Sequence, residues 1–225
     1  MPAASAPAPG GAGLPGGGPS LPELASVPWR RRASVASLRN RGRAWTWFTA
    51  AYVGQWLVVA TILLALEPLL APVAALGLAM AWIVPNLYAA RGATVLRPKG
   101  SRHEWAERTA QGFLGDLLGH EERALHRLTG LAVEPGRLGT WVVGERGAAL
   151  VTAGGSRVHC FCIRTTDPEL PPSDRVAHLL LALRTDEAGF ATVANHTFCG
   201  APWRLSRRMD RRARPALSYA VEQAR

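Results

Sequence analysis

The sequence predicts an α+β fold class: a two-helix transmembrane hairpin followed by a small cytoplasmic α+β domain with a mainly antiparallel sheet. Three observations predict it. Two charge-free apolar stretches lie side by side, arginine is concentrated on their outer flanks, and the apolar pattern changes from helical to strand-like after residue 130. A chain of 225 residues has room for one such domain with appendages.

The first 28 residues are mostly Ala, Pro, Gly and Ser, and Glu23 is their only charge. Such a segment cannot bury enough apolar surface to offset its ordering entropy, so we expect 1–28 to be a disordered tail. The bias of the whole chain toward Ala, Arg, Gly and Pro is typical of a high-GC bacterial genome.

Two uncharged stretches, 44–66 and 69–90, are separated only by Glu67 and Pro68. As a helix the first would be about 34 Å long at 1.5 Å per residue, and a hydrocarbon core is about 30 Å thick. Buried core helices are the alternative, but two successive uncharged stretches of this length are rare in a small soluble domain. We therefore expect a tight antiparallel transmembrane hairpin.

Charge predicts how this hairpin is oriented. The basic juxtamembrane segment 29–43 has no acidic residue and carries Arg30, Arg31, Arg32, Arg39, Arg41 and Arg43. Arg91, Arg97, Lys99 and Arg102 follow the second stretch, whereas the connection carries only Glu67. The positive-inside rule then places both flanks, and with them both termini, on the cytoplasmic side of the inner cell membrane.

The remaining chain, 101–225, is expected to form the cytoplasmic domain. Helical spacing between residues 102 and 128 predicts two helices, divided at Gly119 and ended at Gly130. Turn signals then separate predicted strands at 131–134, 139–144, 148–152 and 157–165. A helix over 175–184 capped by Asp174, a strand over 190–194 and a helical tail after Pro215 complete the expected order.

The three cysteines raise the question of a metal site. An odd count in a cytoplasmic domain argues against a disulfide framework, so we expect reduced thiols. Three sulfurs and one nitrogen form an acceptable tetrahedral zinc set, supplied here by Cys160, Cys162, His196 and Cys199. This spacing does not match a recognised zinc finger or ribbon, and the alternative is that the thiols fill the core. Structural zinc is thus one candidate cofactor.

A second basic cluster lies near the C-terminus, beside Trp203, and consists of Arg204, Arg207, Arg208, Arg211, Arg212 and Arg214. These arginines suit phosphate contacts with nucleic acid or docking against an anionic inner leaflet. The predicted tether to the membrane favours the leaflet. The chain has no Gly-x-Ser-x-Gly elbow, phosphate-binding loop, dinucleotide fingerprint or His-Glu-x-x-His motif, so the corresponding enzyme classes have no support.

The run from Gly119 to Ala124, followed by the strands around 141–151, resembles the nuclease-related (NERD-type) domain. That family has a restriction-endonuclease-like core in which a helix Glu, a strand Asp and an acid-x-Lys motif act together. Glu121 or Glu122 matches the helix Glu. Gly139 and Thr140 stand where the strand acid is expected, and residues 151–153 replace acid-x-Lys. The resemblance therefore implies an inactive copy and bears on fold more than on activity.

These observations rank three functions. The first is a membrane-anchored, non-enzymatic interaction or scaffold protein, whose partners are the anionic bilayer and another protein. The second is a membrane-tethered nucleic-acid-binding or degenerate nuclease-like module, and the third is a zinc-binding membrane protein. The sequence leaves homo-oligomerisation open.

Overall fold

The computed structural model describes residues 30–225 apart from Lys99, Arg102 and residues 164–168. The protein is α+β, with two long apolar helices near its N-terminus and a five-stranded antiparallel sheet. The predicted disordered tail over 1–28 lies outside the described residues. So do two of the predicted basic flank residues, Lys99 and Arg102, and the predicted final residues of the fourth strand.

The two long helices are α1 (Val35–Leu66) and α2 (Ala71–Val95), joined by a short 3-10 turn over Pro68–Leu70. Both are long and apolar enough to cross a membrane. Ser34 and Ser37 form a reciprocal capping box that begins α1. Both predicted charge-free stretches are thus helical, although α1 begins within the basic segment and α2 continues beyond residue 90.

Two shorter helices follow, α3 (Glu104–Leu117) and α4 (His120–Thr129). Gly119 is the N-cap of α4, which confirms the predicted division. Gly130 ends α4 with φ of 73°, the left-handed conformation that favours glycine at a helix C-terminus. The predicted stop at this residue is confirmed.

The sheet consists of five sequentially ordered strands: β1 (Ala132–Pro135), β2 (Gly139–Gly144), β3 (Gly147–Thr152), β4 (Val158–Cys162) and β5 (Asn195–Gly200). Every neighbouring pair is antiparallel, which confirms the predicted sheet type. The bounds of β2 agree with the prediction, those of β1 are shifted by one residue at both ends, and β3 begins one residue earlier than predicted.

Between β4 and β5 lie α5 (Pro172–Thr185) and α6 (Glu187–Val193), while α7 (Pro202–Ser206) and α8 (Arg214–Gln223) follow the sheet. The prediction of a strand over 190–194 is wrong, because α6 covers most of this segment. The Asp186 carboxylate accepts a hydrogen bond from the Gly189 backbone at 2.9 Å and begins a helix there. The predicted cap of α5 is also wrong, because that helix begins earlier, with Pro171 at its N-cap.

Helices cover both faces of the sheet and form two cores. On one face, α3, α5 and α6 pack over Trp141 and Phe161, and Leu38 from the first turn of α1 joins them. On the other face, α8 packs with Ala89 and Ala93 from the end of α2. The domain-proximal ends of both long helices therefore belong to the cores of the α+β domain.

Candidate functional site

A polar cluster forms where β4 pairs with β5. His159 lies opposite Cys199 and Phe161 lies opposite His196, with an irregularity in register between Cys160 and Phe161. Nδ1 of His159 lies 3.2 Å from Nε2 of His196, and Sγ of Cys199 lies 3.8 Å from Nε2 of His159. One donor atom from each of His159, His196 and Cys199 falls within 4.8 Å of the others. We call these three residues the His-His-Cys cluster.

Burial keeps this cluster uncharged, and neighbouring cations add to its effect at the two histidines. Burial lowers the pKa of the fully buried His159 to about 3, aided by His196, Arg157 and Arg41. Burial, with Arg41, likewise lowers the pKa of His196 to about 4. Burial raises the pKa of the Cys199 thiol to about 11, against the opposing effect of Arg157. At neutral pH the cluster therefore holds two neutral imidazoles and a protonated thiol in a positive field.

The predicted zinc set is only partly brought together. His196 and Cys199 meet, but Cys160 and Cys162 are not among the three clustered residues. Cys160 is fully buried in the opposite core, and burial raises the pKa of its thiol. Successive side chains of a strand point to opposite faces, so Cys160 points away from the face on which His159 and Cys199 lie. Sequence reasoning missed His159, although this potential ligand stands directly before Cys160 in the same predicted strand.

A groove opens beside the His-His-Cys cluster, between α1, α2 and β5, with a volume of about 700 Å³. His196 lines it together with Arg41 from α1 and Arg204 from α7. Trp45 lies edge-on to Tyr88 at 5.5 Å and to His196 at 5.6 Å between ring centroids. Farther along α1 the lining is apolar and aromatic and ends at Gln55. The groove is thus cationic toward the domain and apolar between the helices.

The second basic cluster lies against the end of α2. Arg204 donates to the carbonyl of Pro85 at 3.2 Å, and Arg208 donates to the side chain of Asn86 at 2.8 Å. Arg207 stacks over Trp203, with its guanidinium carbon 4.8 Å from the ring centroid. These contacts place Arg204 and Arg208 against α2, whereas Arg207 packs on Trp203 of α7.

The remaining predicted basic residues fall into two groups. Arg30 and Arg32 fasten the start of the helical region to α6, through the Thr192 carbonyl at 3.2 Å and the buried Asp186 carboxylate. Arg212 donates to the Leu128 carbonyl at 3.0 Å, and Arg214 is half-buried at the start of α8. Arg31, Arg39, Arg41, Arg43 and Arg211 are exposed, and so are Arg30, Arg32 and Arg212 despite their contacts. Some of the predicted basic residues, such as Arg30, Arg32 and Arg212, therefore hold parts of the fold together.

Comparison of the chain with protein-family models, curated proteins and solved structures found no match. The resemblance to nuclease-related domains stays a prediction. Its two candidate acids, Glu121 and Glu122, lie in the first turn of α4, where Glu121 accepts from the Tyr219 hydroxyl at 3.4 Å.

Proposed function

We propose that this chain is a membrane-anchored, non-enzymatic interaction or scaffold protein. Its hairpin crosses the inner membrane and holds the α+β domain at the cytoplasmic surface. The observation that carries the proposal is the meeting of two basic clusters at one end of an apolar hairpin. Arg41 from the first cluster and Arg204 from the second line the same groove. Arginine at one end of apolar helices is the charge pattern of a cytoplasmic interface.

The outer surface of the hairpin supports this proposal. Large apolar side chains at least 70% exposed lie on both helices and on the turn between them, namely Trp47, Phe48, Leu66, Leu69 and Trp82. Exposed apolar side chains of this size are unfavourable in water and favourable in lipid. Trp47 and Phe48 follow the basic segment directly, at the level where aromatic side chains gather in membrane proteins.

The connection between hairpin and domain supports a scaffolding role. Leu38 of α1 is 1% exposed in one core and Ala89 of α2 is 2% exposed in the other. Both helices therefore enter the domain without a flexible linker between them and its cores. A domain held this way presents one fixed face to the cytoplasm, which suits recruitment of another protein.

Topology is tested with single cysteines introduced in a Cys162→Ser background and a membrane-impermeant maleimide. We expect the chain to resist alkaline extraction from membranes. Glu67→Cys is expected to label in intact spheroplasts, whereas the exposed Arg211→Cys labels only after lysis. Extraction of the chain into the soluble fraction, or labelling of Arg211→Cys in intact spheroplasts, contradicts the proposal.

Scaffolding is tested by proximity labelling in the native host, with a biotin ligase fused after residue 225. The control is the same ligase fused to an unrelated two-helix membrane anchor. We expect proteins enriched over this control. An identical labelled set contradicts recruitment, and labelling dominated by nucleic-acid-bound proteins favours the tethered nucleic-acid module.

A second candidate function, structural zinc binding, is favoured by one observation: three donor atoms lie within 4.8 Å in the His-His-Cys cluster. Both imidazoles are neutral at pH 7, as zinc ligands must be, while Arg41 and Arg157 oppose a cation. This candidate requires about one zinc per chain, lost in Cys199→Ser and kept in Cys162→Ser. A metal-free chain purified without chelators rules it out.

A further inference from the structure

The groove between α1, α2 and β5 has two chemically different ends. Arg41 and His196 lie at the end that faces the domain, where Arg204 enters from α7. Phe48, Tyr52 and Val84 line the part between the long helices. Arg41 and Gln55 are separated by about 21 Å along α1 at 1.5 Å per residue. The groove therefore has the length and the polarity of an amphiphile.

The cationic end has charge without compensation. Among the described residues no carboxylate lines the groove, and neither Arg41 nor Arg204 forms a salt bridge. Arg204 uses one nitrogen for the Pro85 carbonyl and keeps its guanidinium carbon 6.0 Å from the Phe198 ring centroid. Guanidinium groups recognise phosphate by paired, charge-assisted hydrogen bonds. Two converging arginines with no acid nearby favour an anion.

The apolar end of the groove is too large to be filled by a small inorganic anion bound at the cationic end. A volume of about 700 Å³ lies within the range of sites that enclose organic ligands. Its walls along α1 beyond Arg41 are mainly aromatic and aliphatic, with Thr49 and Gln55 as the polar members. Inorganic phosphate would leave this part unfilled, whereas an acyl chain would cover it.

We propose that the groove binds one anionic phospholipid of the inner leaflet. Its phosphate lies between Arg41 and Arg204, and one acyl chain lies along Phe48 and Tyr52 toward Gln55. Basic pockets between membrane helices on the cytoplasmic side hold anionic headgroups by the same chemistry. The inference rests on the proposed membrane anchoring and adds a defined lipid site to it.

The test is native mass spectrometry of the full chain purified in mild detergent and titrated with phosphatidylglycerol or with phosphatidylcholine of identical acyl chains. We expect phosphatidylglycerol to be retained about tenfold more than phosphatidylcholine, since only the former carries net charge. The double variant Arg41→Gln/Arg204→Gln is expected to lose about this tenfold preference. The matched control is Arg43→Gln, which removes an exposed arginine two residues away that does not line the groove.

Four results overturn the inference. An equal loss in Arg43→Gln and in the double variant indicates diffuse surface charge. Displacement of the lipid by millimolar inorganic phosphate indicates a free-anion site, and displacement by a short DNA duplex indicates a nucleic-acid surface. Absence of selective lipid retention in a folded chain that still resists alkaline extraction removes the lipid site alone. Failure of that extraction test removes the proposed anchoring as well, so the two failures are distinguishable.

Discussion

A Cβ atom on Gly92 would lie 2.7 Å from Cβ of Phe198, so α2 reaches β5 through the backbone of a glycine. Contact this close joins the second long helix to the edge strand that also carries His196 and Cys199 of the His-His-Cys cluster. Since Cβ of Phe198 is fixed to its own backbone, it cannot rotate away from an added methyl group. The position therefore fixes the distance between the hairpin and the sheet.

We expect Gly92→Ala to lower the stability of the domain by about 1–3 kcal/mol, the usual effect of overpacking. The measurement is the thermal unfolding midpoint of the full chain in detergent, followed by intrinsic fluorescence. Gly54→Ala in α1 is the control, because nothing lies within 4 Å of its added Cβ. Equal midpoints for the two variants would contradict the close contact.

Leu38 provides a test of whether the first turns of α1 belong to the domain. It is 1% exposed in the core formed by α3, α5 and α6. We expect Leu38→Ala to destabilise the domain by about 2–5 kcal/mol through lost burial and a new cavity. Leu57→Ala, a change of the same chemistry at a 47% exposed position of the same helix, is expected to have a much smaller effect. Similar losses in both variants would show that α1 packs on the domain differently.

Glu187 holds the turn between β1 and β2. Its carboxylate accepts from the Trp141 indole at 2.6 Å and from the backbone nitrogens of Arg137 at 2.8 Å and Leu138 at 2.9 Å. We expect Glu187→Gln to lower the free energy of unfolding by about 1–3 kcal/mol, since an amide cannot accept all three bonds. Chemical denaturation with Trp fluorescence measures this loss. The exposed Glu222→Gln is the control, and an equally small change in both would disprove the role of Glu187.

His159 makes stability depend on pH. Its pKa is about 3 in the folded chain, against about 6.5 for an ordinary histidine, so the unfolded chain binds more protons between these values. The contribution of the neutral His159 side chain to the free energy of unfolding is therefore fully present above pH 6.5 and is lost as the pH falls toward 3. Between pH 7 and pH 5 the expected loss from His159 is about 2 kcal/mol, because one pKa unit corresponds to about 1.4 kcal/mol.

The measurement compares denaturation of the wild-type chain and His159→Gln at pH 7 and pH 5, in buffer with a metal chelator. The wild type is expected to lose more stability between the two pH values than His159→Gln does. The exposed His103→Gln is expected to retain the wild-type pH dependence. A His159→Gln variant as pH-sensitive as the wild type would mean that the buried imidazole does not carry the effect.

Local signals in the sequence were enough for much of the fold. Charge-free runs predicted α1 and α2, Gly119 and Gly130 predicted the bounds of α4, and turn residues predicted β2. The prediction of a strand over 190–194 was wrong because the β-branched and aromatic residues of this run are typical of strands. The capping contact of Asp186 with Gly189 decides for a helix there, and composition does not reveal such a contact.

The candidate site was less predictable, because it depends on pairing between distant segments. The register of β4 with β5, including the irregularity after Cys160, places His159 rather than Cys160 beside Cys199. A shift of one residue exchanges the two faces of a strand, and sequence spacing alone does not set that register. The groove likewise requires Arg41 and Arg204 to line the same space. Only the assembled fold brings these distant segments together.

Leu38 and Ala93 pack into cores whose strands all come later in the chain. Since a ribosome delivers N-terminal segments first, α1 and α2 emerge before any of their packing partners exists. On the proposed topology the bilayer receives the hairpin while both of its inner ends are still uncovered. Insertion then precedes folding of the domain, and α8 closes the second core only after all five strands have been made. On that topology, biogenesis is ordered: lipid covers the hairpin first, and α8 joins the second core after the sheet.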